Sequence, residues 1–421
     1  MPNKYKSLFI AFLATTTRYY NYSIFGLSAA TLSTHLMPGE KNEYQMLLFF
    51  LIFSVSNFTR PIGAMIFGPI GDKIGRVHSI KIAATCSALS TILVAFIPNF
   101  AFLGITSVIM LTISRMLFML SFAGEIDAIK IFASEVNKNY RYIANSFVTF
   151  FSQIGVVIAS LCYHFTSTQY DFEWLWRVNF IIGGLMGVMI ILLRKHLVEN
   201  EDFLAAQPAT PDNSRTLFHI ISTYKLKFLL ALLINGLVGC AYHFLIIFFN
   251  SFLYYTAQIV TATQASFNNI ILITLYIIST PIAGYISEKN RSIIQPLIAL
   301  IASAMLLIMM IYAGTNYYTL IHRFLVILAP FYSVPCGVMM LSLFPTSDKM
   351  RMFSLSHSIG SILLSSTTPV VCMIIWQYNH TIEAILWYFA LAAFILLFAL
   401  SYIQWKNLVP ISKSYAPTIT K

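Results

Sequence analysis

Apolar residues along this 421-residue chain fall in long runs separated by short polar breaks. A helix needs about 20 mainly apolar residues to cross a bilayer. About twelve such runs begin near residues 7, 44, 80, 102, 142, 176, 225, 266, 293, 320, 352 and 383. Strands of a membrane barrel would alternate apolar and polar positions over about ten residues, and FIIGGLMGVMIILL at 180–193 does not alternate. Lipid offers the backbone no hydrogen-bond partner, so open sheet is excluded as well. The pattern predicts an all-α membrane protein of about twelve transmembrane helices. The first run, MPNKYKSLFIAFLATTT, starts like a secretory signal. Its hydrophobicity continues past residue 30 without a small-residue cleavage site, which predicts an uncleaved first span.

One polar break is long. RKHLVENEDFLAAQPATPDNSRTLFHIISTYKLK at 194–227 gathers Pro, Asn, Asp and charge after the sixth run. It predicts a six-helix bundle over 1–194, a cytoplasmic linker over 195–224, a second six-helix bundle over 225–405 and a cytoplasmic tail over 406–421. The halves echo each other. IGDKIGR at 70–76 returns in reduced form as ISEKNR at 286–291, and TISRMLFML at 112–120 returns as LIHRFLVIL at 320–328, matching Arg115 with Arg323. Two echoes in the same order predict pseudo-symmetric halves. Internally repeated helical membrane proteins are typically transporters with a site near the midplane between the repeats.

Composition agrees with a membrane protein: 58% of residues are hydrophobic and 10% charged, with mean hydropathy +0.76, against about 25% charged in soluble domains. The net charge of +11 does not call for nucleic acid. With the N-terminus inside, Lys4, Lys6, Lys73, Arg76, Lys81, Lys138, Arg141, Lys225, Lys289, Lys349 and Arg351 all fall on the cytoplasmic side, and Lys41 is the one clear cation in an outer loop. That asymmetry is the positive-inside rule and predicts cytoplasmic termini, in keeping with a multi-pass protein of a bacterial inner membrane. The five cysteines are scattered through apolar runs without a C-x-x-C pair and read as small packing residues. Neither disulfide, metal nor cofactor is implied.

The densest charge lies inside RPIGAMIFGPIGDKIGRVHSIK at 60–81. Gly71 and Gly75 permit a tight turn between two closely approaching helices. Asp72 is suited to accept from the free N–H groups of a nearby helix start. Lys73 and Arg76 then hold the turn at the inner surface and can pair with an acid such as Glu135. An ordinary basic inner loop is the competing reading.

These motifs carry a resemblance. Gly68-Pro-Ile-Gly-Asp72-Lys-Ile-Gly75-Arg76 resembles G-x-x-x-D-[RK]-x-G-R, the signature of the major facilitator superfamily between spans two and three. RPIGAMIFGPIGDKIGR, SFAGEIDAIKIFASE (121–135), WLWRVNFIIGG (174–184) and LFPTSDKMRMFSLSHSIG (343–360) are similar to motifs of its metabolite:proton symporter family, which includes proline/betaine transporters. The resemblance covers most of the chain. It implies the major facilitator fold, a cavity lined by spans one, four, seven and ten, and a knot at Gly71, Asp72, Lys73, Gly75, Arg76 and Glu135 that latches the two halves in one state. The chain departs from the family where an acidic pair of span one is replaced by Arg18 and Asn21, and where small residues after Glu125 become Asp127 and Lys130.

An ionisable side chain in a membrane span is costly, about 2.5–3.5 kcal/mol on insertion scales, unless it faces a cavity or a partner. At 100° per residue, Arg115, Lys130 and Asp127 fall in one stripe of span four about 120° wide, with Glu125 outside it. Asp127 and Lys130, spaced i, i+3, can pair within their helix. Arg18, Asn21 and Tyr22 share a face of span one, and Asn235 and Tyr242 share a face of span seven. Arg18, Arg115 and Arg323 are expected to make the cavity positive for a carboxylate or phosphate, the groups a guanidinium forks onto. Against that, Arg18 could merely neutralise Asp127 or Glu125. Glu125 or Asp127, with Lys130 beside them, is the expected proton carrier; His243 and His357 come second. Ser354, Ser358, Ser361 and Ser365 form a stripe suited to close helix packing.

The expected function is secondary active transport by alternating access, proton-coupled symport of a small polar metabolite or osmolyte of the betaine, proline or organic-acid class. Exchange of an anionic solute is the alternative, and a non-transporting solute receptor the weaker one, since 406–421 supplies no signalling tail. No G-x-S-x-G, H-E-x-x-H or Walker-type loop marks an enzyme or an ATP-driven pump. The partners implied are membrane lipid, the solute and the proton, with no obligate protein partner.

Overall fold

The computed structural model describes residues 2–39, 42–167, 174–193 and 217–408. Lys41, the linker through residue 216 and the tail beyond 408 lie outside them. Every regular element among the described residues is helical.

Span one is Pro2–Leu27, followed by a short helix at Ala29–Leu36. Span two comes in two pieces, Asn42–Asn57 and Thr59–Lys73. Spans three to six are Arg76–Ala95, Ile105–Val136, Arg141–Ser167 and Trp176–Leu193. Leu217–Thr223, the end of the expected linker, is helical. Spans seven and eight follow as Lys225–Tyr255 and Ala262–Asn290. Span nine is Ile294–Ala313, span ten Tyr318–Ser342, span eleven Lys349–Asn379 and span twelve Ile382–Trp405. Ten of these helices are long and apolar enough to cross a bilayer by themselves. Span two falls short because it is divided at Phe58, and span one because Thr15, Thr16, Thr17, Arg18 and Asn21 dilute its hydropathy. With them the described residues make up the twelve expected spans.

Three spans contain a π-helical turn: Ala123–Asp127 in span four, His243–Phe248 in span seven and Ser361–Ser365 in span eleven. An i→i+5 turn inserts a residue into the α register and occurs often at functional sites. It also corrects the helical-wheel reading of span four. The turn lies between Arg115 and Lys130, so a constant 100° per residue does not carry across it.

The chain divides into two compact units: residues 1–138, 148–217 and 346–358, and residues 139–147, 218–345 and 359–421. In the first unit Tyr20, Ile24, Phe25, Phe49, Trp176 and Phe180 pack one hydrophobic cluster. Close packing of span two on span four needs Gly63, where a Cβ would collide with the Leu120 carbonyl. Gly75, at φ 142°, makes the turn between spans two and three, a conformation reserved for glycine.

Candidate transport site

In the first unit, spans one and four meet at a buried charge network. Arg18 is 1% exposed. Its Nη1 donates to Ser121 Oγ at 2.8 Å and to Glu125 Oε2 at 3.3 Å, and its Nη2 donates to the Phe118 carbonyl at 2.6 Å. The guanidinium lies 4.0 Å from the Phe118 ring centroid. Of the two acids open to Arg18 from the sequence, it meets Glu125 on the π turn.

Arg115, three turns earlier on span four, is equally buried but differently surrounded. It sits among the rings of Phe25 (4.3 Å), Phe53 (4.8 Å), Phe118 (5.1 Å) and Tyr22 (5.2 Å). Its Nε and Nη2 meet no acceptor, and among the described residues it has no carboxylate partner. Beside it a cavity of about 10 Å³ is lined by Asn21, Ser90, Thr91 and Ser114, room for about one water. The Asn21 amide nitrogen reaches the Gly183 carbonyl, and its Oδ1 accepts nothing.

Asp127, fully buried, closes the π turn. Its Oδ1 lies 2.8 Å from His357 Nδ1 on span eleven. The pairing of Asp127 with Lys130 suggested by i, i+3 spacing is therefore replaced by a long-range one, and Lys130 remains a charged neighbour of the carboxylate.

The charged knot is also complete within this unit. Asp72 Oδ1 accepts from the Met350 N–H and Oδ2 from the Arg351 N–H, both at 2.9 Å, so the carboxylate caps the start of span eleven. Arg76 Nη1 is 2.7 Å from Asp72 and also donates to the Gly71 carbonyl; Nη2 donates to the Thr346 carbonyl at 2.8 Å and lies 3.5 Å from Glu135. Lys349 reaches Glu135 at 3.2 Å. At Gly71 a Cβ would overlap Met350 Sδ, so any side chain there would have to displace Met350. Lys73 is exposed at the end of span two.

The second unit repeats this arrangement. Glu288 Oε2 accepts from the Tyr142 N–H at 2.8 Å and the Ile143 N–H at 3.4 Å, at the start of span five. Arg291 pairs with Glu288 at 2.8 Å and donates to the Asn139 carbonyl. The echo ISEKNR carries this constellation, though neither Glu288 nor Arg291 stood out as a site residue by itself. Arg323 donates from Nε to Asn268 Oδ1 at 2.8 Å, and Asn268 donates to Asn250. Asn235 is half-buried with its amide nitrogen unsatisfied. Tyr242 packs edge-on against Tyr276, and His243 Nδ1 lies 2.8 Å from Ser365 Oγ, joining two π turns. His322, unremarked in the sequence, is fully buried with Nε2 2.7 Å from the Leu245 carbonyl in the span-seven π turn. Arg60, whose place inside an apolar run marks it in the sequence, lies over the Phe122 ring at 4.4 Å. A groove of about 630 Å³ near Asn290, Gln295 and Phe331 contains none of the predicted residues.

Among the described residues, long apolar helices, several of them burying ionisable side chains, and one capping device in each unit fit a multi-pass membrane transporter. A family model described as Major Facilitator Superfamily matches residues 8–259, and the chain belongs to that superfamily. It is 26% identical over 388 residues to the proline/betaine transporter of Salmonella typhimurium, covering 87% of this chain and 76% of the relative. It is 22% identical over 370 residues to the citrate-proton symporter of Salmonella typhi, covering 84% and 83%. Among solved structures it is similar to the proton:xylose symporter XylE bound to 6-bromo-6-deoxy-D-glucose, with TM-score 0.73, 16% identity and 96% of each chain covered. FucP in the outward conformation gives TM-score 0.68 at 14% identity, over 94% of this chain and 99% of that one. The chain is thus an integral membrane secondary transporter, not an enzyme.

Proposed function

We propose that the chain carries a small carboxylate-bearing solute by proton-coupled symport and alternating access, in an inner membrane with both termini cytoplasmic. Arg115 is the observation that carries the reading. A buried charge stripped of its partner costs about 3–5 kcal/mol. Cation–π contacts, about 0.5–2 kcal/mol each, offset part of that cost for Arg115. They leave its Nε and Nη2 hydrogens unspent, and a carboxylate is the group whose geometry accepts them. Proline, betaine and citrate, the solutes in the relatives' names, all carry one.

In this reading the side chains proposed to act on the solute are Arg18, Asn21, Tyr22, Arg115, Asn235, Tyr242 and Arg323. Glu125, Asp127 and Lys130 serve proton coupling. Gly71, Asp72, Lys73, Gly75, Arg76 and Glu135 serve gating. A second reading, exchange of an anionic solute, draws on Arg323, which meets an amide rather than an acid.

Uptake into proteoliposomes of a radiolabelled panel of betaine, proline, citrate, dicarboxylates and sugar phosphates, with and without a pH gradient, tests both. Carboxylate uptake driven by an inward proton gradient is expected. Arg115→Gln should raise KM at least about tenfold, since losing one charge-assisted hydrogen bond is worth about 1.5–3 kcal/mol. Exchange indifferent to the gradient would favour the second reading, and an unchanged KM would remove Arg115 from the solute site.

A further inference from the structure

We propose that His357, held by Asp127, is the group that binds and releases the coupling proton, with Asp127 as its orienting counter-charge. The proposal deepens the symport reading above and rests on it.

Both residues belong to the first unit, Asp127 on span four and His357 in the 346–358 segment of span eleven. Their separation of 2.8 Å is that of a charge-assisted hydrogen bond. With Asp127 ionised, Nδ1 carries the hydrogen and donates it, which leaves the Nε2 lone pair as the basic position. Carboxylate orientation of the far ring nitrogen is how imidazoles are fixed in one tautomer for proton transfer.

Access differs between the partners. The Asp127 side chain is 0% exposed and the His357 side chain 18%, so a proton arriving from water meets the imidazole first. The imidazole stacks on Phe353 in its own helix. The charged groups facing it are Asp127 and Lys130 from span four and Arg60 from span two. Two cations and one carboxylate surround a ring that gains a third positive charge on protonation. The added charge is held chiefly by Asp127, so any movement separating Asp127 from His357 expels the proton. A second feature makes such movement local. Asp127 is the last residue of one π turn, and His357 stands one turn before another, places where the helical register is already shifted. Asp127 Oδ2 meets no donor among the described residues, where the imidazole is the carboxylate's one hydrogen-bond partner.

The proton balance is simple. Nε2 takes one proton from water to give imidazolium paired with Asp127, and the same proton leaves to water when the pair parts. No covalent bond between heavy atoms changes.

Two measurements test this. In proteoliposomes, the ratio of gradient-driven accumulation to solute exchange without a gradient, read with proline, betaine and citrate, should fall at least about tenfold in His357→Gln. The pH profile of uptake should flatten between about pH 5 and 8, where imidazole titrates. A coupling ratio and pH profile equal to wild type would overturn the proposal. In ¹⁵N-histidine-labelled protein in nanodiscs, the signal that disappears in His357→Gln should titrate with pH as an Nδ1–H tautomer and shift in Asp127→Asn. An imidazole that does not change from pH 5 to 9 would also overturn it. If no solute of the panel moves, the symport reading fails separately, and the imidazole titration still decides whether this pair exchanges a proton.

Discussion

Arg18 and Arg115 are both buried arginines near the start of their charged clusters, yet the structure gives them opposite electrostatics. Arg18 has Glu125, Ser121 and a carbonyl; Arg115 has four aromatic rings. Breaking a buried pair by removing one partner costs about 3–5 kcal/mol, because it strands the other charge. Glu125→Gln should therefore lower the detergent-solubilised melting temperature clearly. Arg18→Gln/Glu125→Gln together should recover much of the loss, since no charge is then left stranded. Additive losses measured across the double-mutant cycle would mean the two side chains are not coupled. The sequence exposed that Arg18 needed an acid and left Glu125 and Asp127 as equals. The choice was hidden because it depends on the π turn at Ala123–Asp127, and no residue type in AGEID demands one. Asp127–His357 was hidden for a second reason: its partners are 230 residues apart, and a helical wheel ranks only neighbours on one helix.

Among the elements, long apolar runs were legible as helices, because a bilayer leaves the backbone no other solution. Starts expected near 102, 266 and 320 fall at Ile105, Ala262 and Tyr318. The division of span two at Phe58 falls where Ser56, Asn57, Thr59, Arg60 and Pro61 interrupt the apolar run, a local polar signal that a count of apolar residues over the whole run passes over. Glycine spacing within spans carries more than composition does. At Gly63 a Cβ would strike the Leu120 backbone of span four, whereas at Gly337 in span ten it meets nothing within 4 Å. Backbone cannot step aside as a flexible side chain can, so Gly63→Ala should cost about 1–3 kcal/mol through overpacking. Gly337→Ala should be neutral or gain about 0.5–1 kcal/mol from helix propensity. Thermal unfolding of the two variants in one detergent reads the difference, and equal melting temperatures would show that spans two and four separate easily there.

At the scale of the whole molecule, the echo of IGDKIGR in ISEKNR, legible in the sequence, marks one capping device used twice. Asp72 receives two backbone N–H groups at the start of span eleven and pairs with Arg76. Glu288 receives two at the start of span five and pairs with Arg291. Each carboxylate thereby satisfies helix-end donors that have no partner inside their helix and faces the positive end of the helix dipole. Spans eleven and five are also the helices whose first turns belong to one unit and whose remainder belongs to the other. Each carboxylate therefore holds the first turn of a long helix. Asp72→Asn and Glu288→Gln keep the size and one acceptor oxygen of each side chain but remove its charge, weakening bonds worth about 1.5–3 kcal/mol apiece. Neither residue belongs to the proposed solute contacts. Both variants should slow kcat of uptake about tenfold or more while shifting KM by less than about threefold, as expected when a conformational step rather than binding is altered. Reconstituted uptake at saturating and limiting solute separates the two constants. Loss in Asp72→Asn with normal turnover in Glu288→Gln would mean that the two caps, alike in geometry, do not share a role in the transport cycle.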